Sequence, residues 1–361
     1  MMNYRPVKAF INFEALKSNL KQVRAFAPKS KILAVIKANG YGHGMTRVAE
    51  QLSMADAFGV ASIDEAIKLR HKGFLHRILL LEGLFCESEF ALVIQHRLDF
   101  VIHSEHQLDW LMRLNHSQPL NVWVKIDTGM HRLGFLPEHF PKVIKKLQTL
   151  KVQPNIITMS HFASAGESTA FTLEQLDCFN SLTQGMNGAK SLANSAAIQN
   201  LPAAHFDWVR PGIMLYGAGD LSTGQQLSPL KPVMTLKTEV TSLKWIEAGE
   251  SVGYGQTWKA TKKSFVGVLA VGYGDGYPRH AVSGTPVLVA GKRVPLIGRV
   301  SMDMITVDLT DLADSVQIGD EAILWGEGLP VDEVAKHAST IAYELLCGVT
   351  ARVPIIEVRA S

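Results

Sequence analysis

The sequence predicts a two-part α/β plus β chain: a parallel (β/α)8 barrel over about residues 10–230, then a mostly β domain over 231–361. Three observations carry this. Eight short, β-branched apolar runs alternate with amphipathic stretches in the first part. Those runs are nearly continuously apolar, as strands of a parallel sheet covered on both faces must be. After about residue 230 the texture changes to β-rich segments separated by Gly, Asp and Pro turns. Residues 1–9 stay open as an addition to the second domain.

The strand candidates are KILAVIK (31–37), FGVAS (58–62), RILLLE (77–82), DFVIH (99–103), LNVWVKID (120–127), NIITMSHF (155–162), AKSLAN (189–194) and DWVRPGIMLYG (207–217). Between them lie MTRVAEQLSM, SIDEAIKLRHKG, SEHQLDWLMRLN, PEHFPKVIKKLQTL and TLEQLDCFNSLTQG, with apolar residues every three to four positions. Several open on Ser, Thr or Pro, which suit helix starts. Eight strands in about 220 residues match the stoichiometry and size of a closed barrel. A doubly wound open sheet competes, because SAAIQN (195–200) is a short helix and closure is inferred. In the second domain VMTLKTEVTSLKWI, SVGYGQTW, SFVGVLAVGYG, TPVLVAGKRVPLIGRV, DMITVDL and EAILWG read as β structure, with one late helix, VDEVAKHASTIAYELLCG.

Composition narrows the function classes. Hydrophobic residues at 47% and charged residues at 19% describe a chain that buries a core, which excludes disorder. A net charge of +3 without a dense basic run argues against a nucleic-acid partner. Cys86, Cys178 and Cys347 are far apart and form no disulfide framework or zinc ribbon. The start MMNYRPVKAFINFEAL has no apolar signal core, and no run approaches a membrane span. A cytoplasmic protein without a membrane partner is expected.

Polar residues at the C-terminal ends of barrel strands are the catalytic candidates. Lys37, Lys125, Asp127, His161, Asn194 and Arg210 come from five of the eight strands and converge on one rim. Lys37 follows ILAVI and precedes ANGYGHG. A partly desolvated lysine favours its neutral amine, which attacks carbonyls to form a Schiff base. A lysine snorkelling from the strand end into water is an equal reading. The runs Gly40–Gly44 and Gly272–Gly276 are G-x-G-x-G, a poor match to a dinucleotide fingerprint. Backbone amides near Ser195 and Gly212 could cradle one phosphate instead. Asp127 and Asp303 follow strands, but without clustered ligands no metal is supported. Taken alone, His161, Arg132, Tyr254 and Met302 have ordinary structural readings.

AVIKANGYGHG (34–44), VWVKIDTGMHRLGF (122–135), MSHFASA (159–165), ANSAAI (193–198), VRPGIMLYG (209–217), VGYGQTW (252–258), VGYGDGYPR (271–279), GRVSMDM (298–304) and YELLC (343–347) together resemble the alanine racemase family, in that family's order and over nearly the whole chain. The resemblance implies a pyridoxal 5'-phosphate-binding barrel, a β domain and a head-to-tail homodimer that interconverts L- and D-alanine, for peptidoglycan or for alanine catabolism. It implies Lys37 as cofactor lysine and one base, and Tyr254 as the other base, reaching in from the partner subunit. Arg210 resembles the arginine facing the pyridine nitrogen, linked by His161 towards the catalytic tyrosine. Tyr41, Asn194, Ser195, Gly212, Ile213 and Tyr343 resemble cofactor-binding residues. Arg132 is similar to the arginine near the cofactor phenolate and substrate carboxylate, and Met302 to the partner's carboxylate ligand. Tyr273, Arg279, Arg299 and Asp303 resemble the entrance. Lys125 stands where some members carry a carbamylated lysine. Gly40 replaces the usual Ala, which is expected to loosen the turn, and Ser301 replaces a frequent Cys. The competing readings are another racemase, decarboxylase or aldolase on this fold, or a non-catalytic carrier of the cofactor. The carrier is a single barrel, whereas this chain has a second domain.

Overall fold

The structure, a computed structural model, describes residues 4–219 and 230–358. The eight expected strands form a closed parallel barrel: Lys31–Val35, Ala57–Val60, Arg77–Leu80, Asp99–Ile102, Asn121–Lys125, Asn155–Met159, Ala189–Ser191 and Trp208–Val209. Closure is direct, because Lys31 and Ile32 pair in parallel with Trp208 and Val209. That pairing removes the open-sheet alternative. Ala57–Val60 and Asp99–Ile102 are buried along their whole length, as doubly covered strands must be. The last strand is shorter than its apolar run. Pro211 has no amide to donate, and Gly212 opens a 3₁₀ turn over Ile213–Tyr216.

The second sheet is organised by one long strand, Met234–Ile246. It pairs antiparallel with Lys8–Asn12, Ser264–Leu269 and Glu321–Trp325. Lys8–Asn12 also pairs in parallel with Ile355–Val358, so both ends of the described chain lie in this sheet. Asn12 then turns the chain towards the barrel. Its side-chain oxygen accepts from the Ala15 amide and caps the helix Phe13–Phe26. On that helix, buried Asn19 donates to the Leu215 and Lys231 carbonyls and accepts from the Lys231 amide, at 2.8–3.0 Å. One amide thus ties the barrel's last turn to the start of the β sheet. Residues 220–229, next to the expected boundary near 230, lie outside the described residues. The expected late helix is two helices, Val331–His337 and Ala342–Gly348. They part at Ser339, whose φ of 52° is left-handed and ends the first. No helix among the described residues is long and apolar enough to cross a membrane.

The barrel floor is held by a buried carboxylate at the start of a strand. Asp99 accepts from Arg77 Nε (3.1 Å) and Nη2 (2.5 Å), Asn121 Nδ2 (2.9 Å) and Trp123 Nε1 (3.0 Å). Hydrogen bonds to a charged group contribute about 1.5–3 kcal/mol each in favourable cases. Asp99→Asn keeps the shape and loses the charge. It is expected to lower stability by about 2 kcal/mol in denaturant unfolding. Activity per folded molecule is expected to be unchanged, because chemistry in such barrels sits at the opposite, C-terminal end of the strands.

Candidate active site

Lys37 stands two residues past the strand Lys31–Val35. The chain then makes a left-handed turn: φ is 52° at Ala38, 55° at Asn39, 64° at Gly40 and 51° at Tyr41. Each non-glycine residue there costs roughly 1–2 kcal/mol, so other bonds must hold the turn. Glu65 does so from the next βα unit, accepting from the amides of Ala38 and Ala61, both at 2.8 Å. Asn39 Oδ1 accepts from the Met45 amide. Buried His43 donates through Nδ1 to the Tyr41 carbonyl at 2.8 Å, and burial pushes its pKa down to about 4. The expectation that Gly40 loosens the turn is not met. A Cβ there would lie 3.0 Å from Val48 Cγ2 and 3.2 Å from Met45 Cα, so the turn is closely packed.

The turn delivers Tyr41 into a stack of rings. Tyr41 lies 4.6 Å from Tyr216 and 5.8 Å from Tyr343 between ring centroids. Burial first, then Tyr343 and Cys347, hold its hydroxyl far above the usual phenol range, so it remains a donor. Beside it, Ser195 Oγ accepts from the Gly212 amide at 2.9 Å and the Met214 amide at 3.3 Å. A Cβ on Gly212 would lie 2.5 Å from Tyr41 Oη, so only glycine leaves room there. Ile213 is buried next to it. Asn194 faces its own helix, where its side-chain oxygen accepts from the Ala197 amide and caps Ser195–Asn200.

Arg210 is buried and fully engaged. It donates to Ser191 Oγ (2.6 Å), the Ser160 carbonyl (2.6 Å), the Leu192 carbonyl (3.2 Å) and His161 Nδ1 (3.2 Å). Burial lowers its pKa to about 10, which leaves it charged at neutral pH. His161 is pushed well below its ordinary value by burial, then by Arg210, Lys125, Arg132 and Lys37. A neutral ring that accepts at Nδ1 carries its proton on Nε2 and is a donor there. Lys125 is buried and held at about 8, by burial first and then by Arg210, Arg132 and Lys37, with Asp127 opposing. Asp127 is itself lowered: burial raises it, but the His131 and Gly129 amides, which donate to Oδ1 at 3.0 Å, outweigh that. Exposed Arg132 completes the cationic group.

The β-domain candidates are not joined to this mouth within one chain. Tyr254, Met302 and Tyr273 are 69, 52 and 40% exposed. Among the described residues no hydrogen bond, ion pair or ring contact links them to Lys37, His161 or Arg210. Arg279 and Arg299 are exposed on the same domain, and Asp303 is half-buried there. Tyr343 does reach the mouth, on the helix Ala342–Gly348. Sequence reasoning missed Glu82, whose carboxylate lies 3.5 Å from Lys37 Nζ. The signal was available, since Glu82 is a polar residue ending the apolar run RILLLE, as Lys37 ends ILAVI. It also missed Glu65 and His43, which act on backbone groups.

A barrel mouth with a strand-end lysine, a hydroxyl cradle and a buried arginine–histidine pair, beside a β domain, is the site of an enzyme that acts on an anionic ligand with a carbonyl-reactive amine to hand. Comparison with known proteins agrees and narrows the class. Residues 11–220 match the family profile "Alanine racemase, N-terminal domain", and residues 233–357 match "Alanine racemase, C-terminal domain". The chain is 52% identical to the alanine racemase of Nitrosococcus oceani, covering 96% of this chain and 98% of that one. It is 49% identical to that of Vibrio cholerae, covering 96% of each. The biosynthetic alanine racemase of Pseudomonas aeruginosa superposes with a TM-score of 0.94 at 46% identity, covering 98% of this chain and all of that one. The chain belongs to the alanine racemase family.

The depressed pKa of Lys125 has a measurable consequence. With the pKa lowered to about 8, the neutral amine grows as pH rises through 8, some two units earlier than for a free lysine. A neutral amine adds carbon dioxide, and the resulting carbamate would replace one of four crowded cations by an anion. The expected outcome is a carbamate carbon signal with ¹³C-bicarbonate that rises between about pH 7 and 9 and is absent in Lys125→Met.

Proposed function

We propose that this chain interconverts L- and D-alanine, with pyridoxal 5'-phosphate as cofactor, as a cytoplasmic homodimer whose sites each draw on both subunits. The observation that carries this reading is the mouth itself: Lys37, Lys125, Arg132 and Arg210 surround one opening, beside the Tyr41–Ser195–Gly212 cradle. A phosphate monoester and a substrate carboxylate are both anions. The cradle suits a phosphate in chemistry, because a protonated phenol, a serine hydroxyl and backbone amides lie together there. Tyr41, Ser195, Gly212, Ile213 and Tyr343 would hold the cofactor's phosphate end, with Asn194 capping the helix that begins at Ser195, and Arg210 would face its ring nitrogen. Lys37 would bind it covalently.

Bound pyridoxal phosphate supplies the electron sink that acidifies the substrate Cα–H. The protein's part is to place one base on each face. Lys37 Nζ takes the Cα proton from D-alanine on one face and, in the reverse direction, gives a proton to that same face to form D-alanine. Tyr254 of the partner subunit serves the other face and takes the proton from L-alanine. An unperturbed phenol is a weak base at neutral pH, so the tyrosine needs help. The Nε2 proton of neutral His161, held in place by Arg210, is a donor suited to an ionised phenol. Arg132 and the backbone amide of the partner's Met302 would hold the carboxylate. Tyr273, Arg279, Arg299 and Asp303 would shape the entrance.

A coupled assay is expected to show D-alanine formed from L-alanine, with serine, lysine and arginine as poorer substrates. Borohydride reduction followed by peptide mapping is expected to place the cofactor on Lys37. Lys37→Ala is expected to lose at least about 10⁴-fold in activity.

The shared site makes a separate expectation. Lys37→Ala and Tyr254→Ala chains, each inactive alone, are expected to regain activity when mixed and allowed to exchange subunits. One site of each hybrid is then intact, up to about half the wild-type activity per dimer. No recovery after exchange verified by mass spectrometry would place each site within one chain.

A further inference from the structure

Two arginines and two aspartates form a closed ring behind the loops that carry Tyr273 and Met302. Asp275 is fully buried. Its Oδ2 accepts from Arg5 Nη2 at 2.7 Å and from the Gly272 amide at 3.0 Å. Its Oδ1 lies 3.5 Å from Arg352 Nε. Asp303 Oδ1 accepts from the same two arginines, Arg5 Nη1 at 3.2 Å and Arg352 Nη2 at 2.6 Å. Arg5 comes from the start of the chain and Arg352 from just before its last strand. The ring is formally neutral and ties together four separate segments.

The backbone around the ring leaves the loops little freedom. The amides of Tyr273 and Gly274 donate to the Ser301 and Met302 carbonyls at 3.0 and 2.9 Å. Thr350 donates from its amide to the Asp275 carbonyl and from its hydroxyl to the Gly274 carbonyl. A Cβ on Gly272 would collide with the Ser301 and Met302 carbonyls, and one on Gly276 with the Gly348 carbonyl. These are close backbone contacts that no side chain could enter. The tips, in contrast, face outward: Tyr273 and Met302 are exposed in one chain. A rigid base under exposed tips is the arrangement expected of a segment that another surface reads.

We propose that Asp275 is a positioning residue for the partner's active site: through Arg5, Arg352 and Asp303 it fixes the loops that present Tyr273 and Met302 across the dimer interface. This rests on the shared-site reading above. Asp275 touches no substrate, and its effect passes through the loops. The carboxylate contact made by the loops contributes to ground state and transition state alike, so their displacement appears in KM rather than kcat.

Asp275→Asn keeps the shape and weakens the ring. Two hybrid dimers, isolated through different affinity tags, separate the roles. In the first, a Lys37→Ala chain pairs with an Asp275→Asn chain. Its live site combines the Asp275→Asn barrel with unaltered loops from the other chain, and a wild-type KM is expected. In the second, a Lys37→Ala, Asp275→Asn chain pairs with a wild-type chain. Its live site receives the altered loops, and KM for alanine is expected to rise about tenfold with kcat within about threefold of wild type. A rise confined to the first hybrid would overturn both trans positioning and the shared site. Equal values in the two hybrids would overturn the positioning role and leave Asp275 a folding residue. If Asp275→Asn chains fail to fold, Arg352→Gln, which removes a half-exposed member of the ring, carries the same comparison with the same outcomes.

Discussion

The left-handed turn from Ala38 to Tyr41 is the constraint on which the site depends. Three of its four residues carry a Cβ, so the conformation is unfavourable by several kcal/mol in sum on its own. It persists because neighbouring units over-determine it. Glu65 grips its first amide, Asn39 and His43 bond its backbone, and the Leu346 carbonyl closes over Gly42 where any side chain would collide. The result is geometric. The left-handed turn keeps Lys37 and Tyr41 on one opening and places Tyr41 against Tyr216 and Tyr343. The lysine proposed as the covalent anchor and the cradle are therefore positioned by one turn.

The second organising fact is an excess of positive charge in little space. Arg210 and Lys125 are both buried, with Lys37 and Arg132 near enough to depress Lys125. Burial penalises every charged form and mutual repulsion adds to it, so the easiest group to neutralise yields first. Arginine resists deprotonation and finds four acceptors at Arg210. His161 gives up its second proton and Lys125 becomes titratable near neutrality. Asp127 offers only partial relief, because burial and the two arginines outweigh its carboxylate, which also holds the turn at Gly129 and His131. The mouth is thus built for a ligand with more than one negative group.

Much of this was legible in the sequence, for reasons that differ by element. The barrel strands were legible because parallel strands covered on both faces leave unbroken apolar runs. The closure was not, because Trp208–Val209 contributes only two paired residues and Pro211 beyond it has no amide to donate. The helix expected over VDEVAKHASTIAYELLCG broke at Ser339, since no Gly or Pro marks a left-handed residue there. The turn after Lys37 was hidden for the same reason: Ala38 and Asn39 do not announce positive φ. Lys37 and Arg210 could be singled out as polar residues at the ends of apolar strands. Glu65, His43 and Asp275 could not, because their partners are backbone amides, carbonyls or distant arginines that only the folded chain brings near. Asn194 was legible as a polar strand-end residue, and its observed work is to cap the helix that begins with Ser195.

On the shared-site reading proposed above, the two halves of the site place opposite demands on the chain. In the barrel, groups are buried and held by many partners before any ligand arrives. In the β domain, Tyr254, Met302 and Tyr273 are exposed, so an isolated chain would have to order them when a second subunit docked. Ordering a rotamer-rich contact at association costs about 0.5–1.5 kcal/mol per side chain, and more where backbone is fixed as well. The ring of Arg5, Asp275, Asp303 and Arg352 settles the backbone part of that cost during folding of the single chain. It does so with residues from both ends of the chain, which the central sheet already holds side by side through Lys8–Asn12 and Ile355–Val358. Joining the N-terminal strand to the C-terminal sheet is therefore more than a detail of topology. It brings Arg5 within reach of Asp275, and so couples completion of the fold to the shape of the surface offered to a partner.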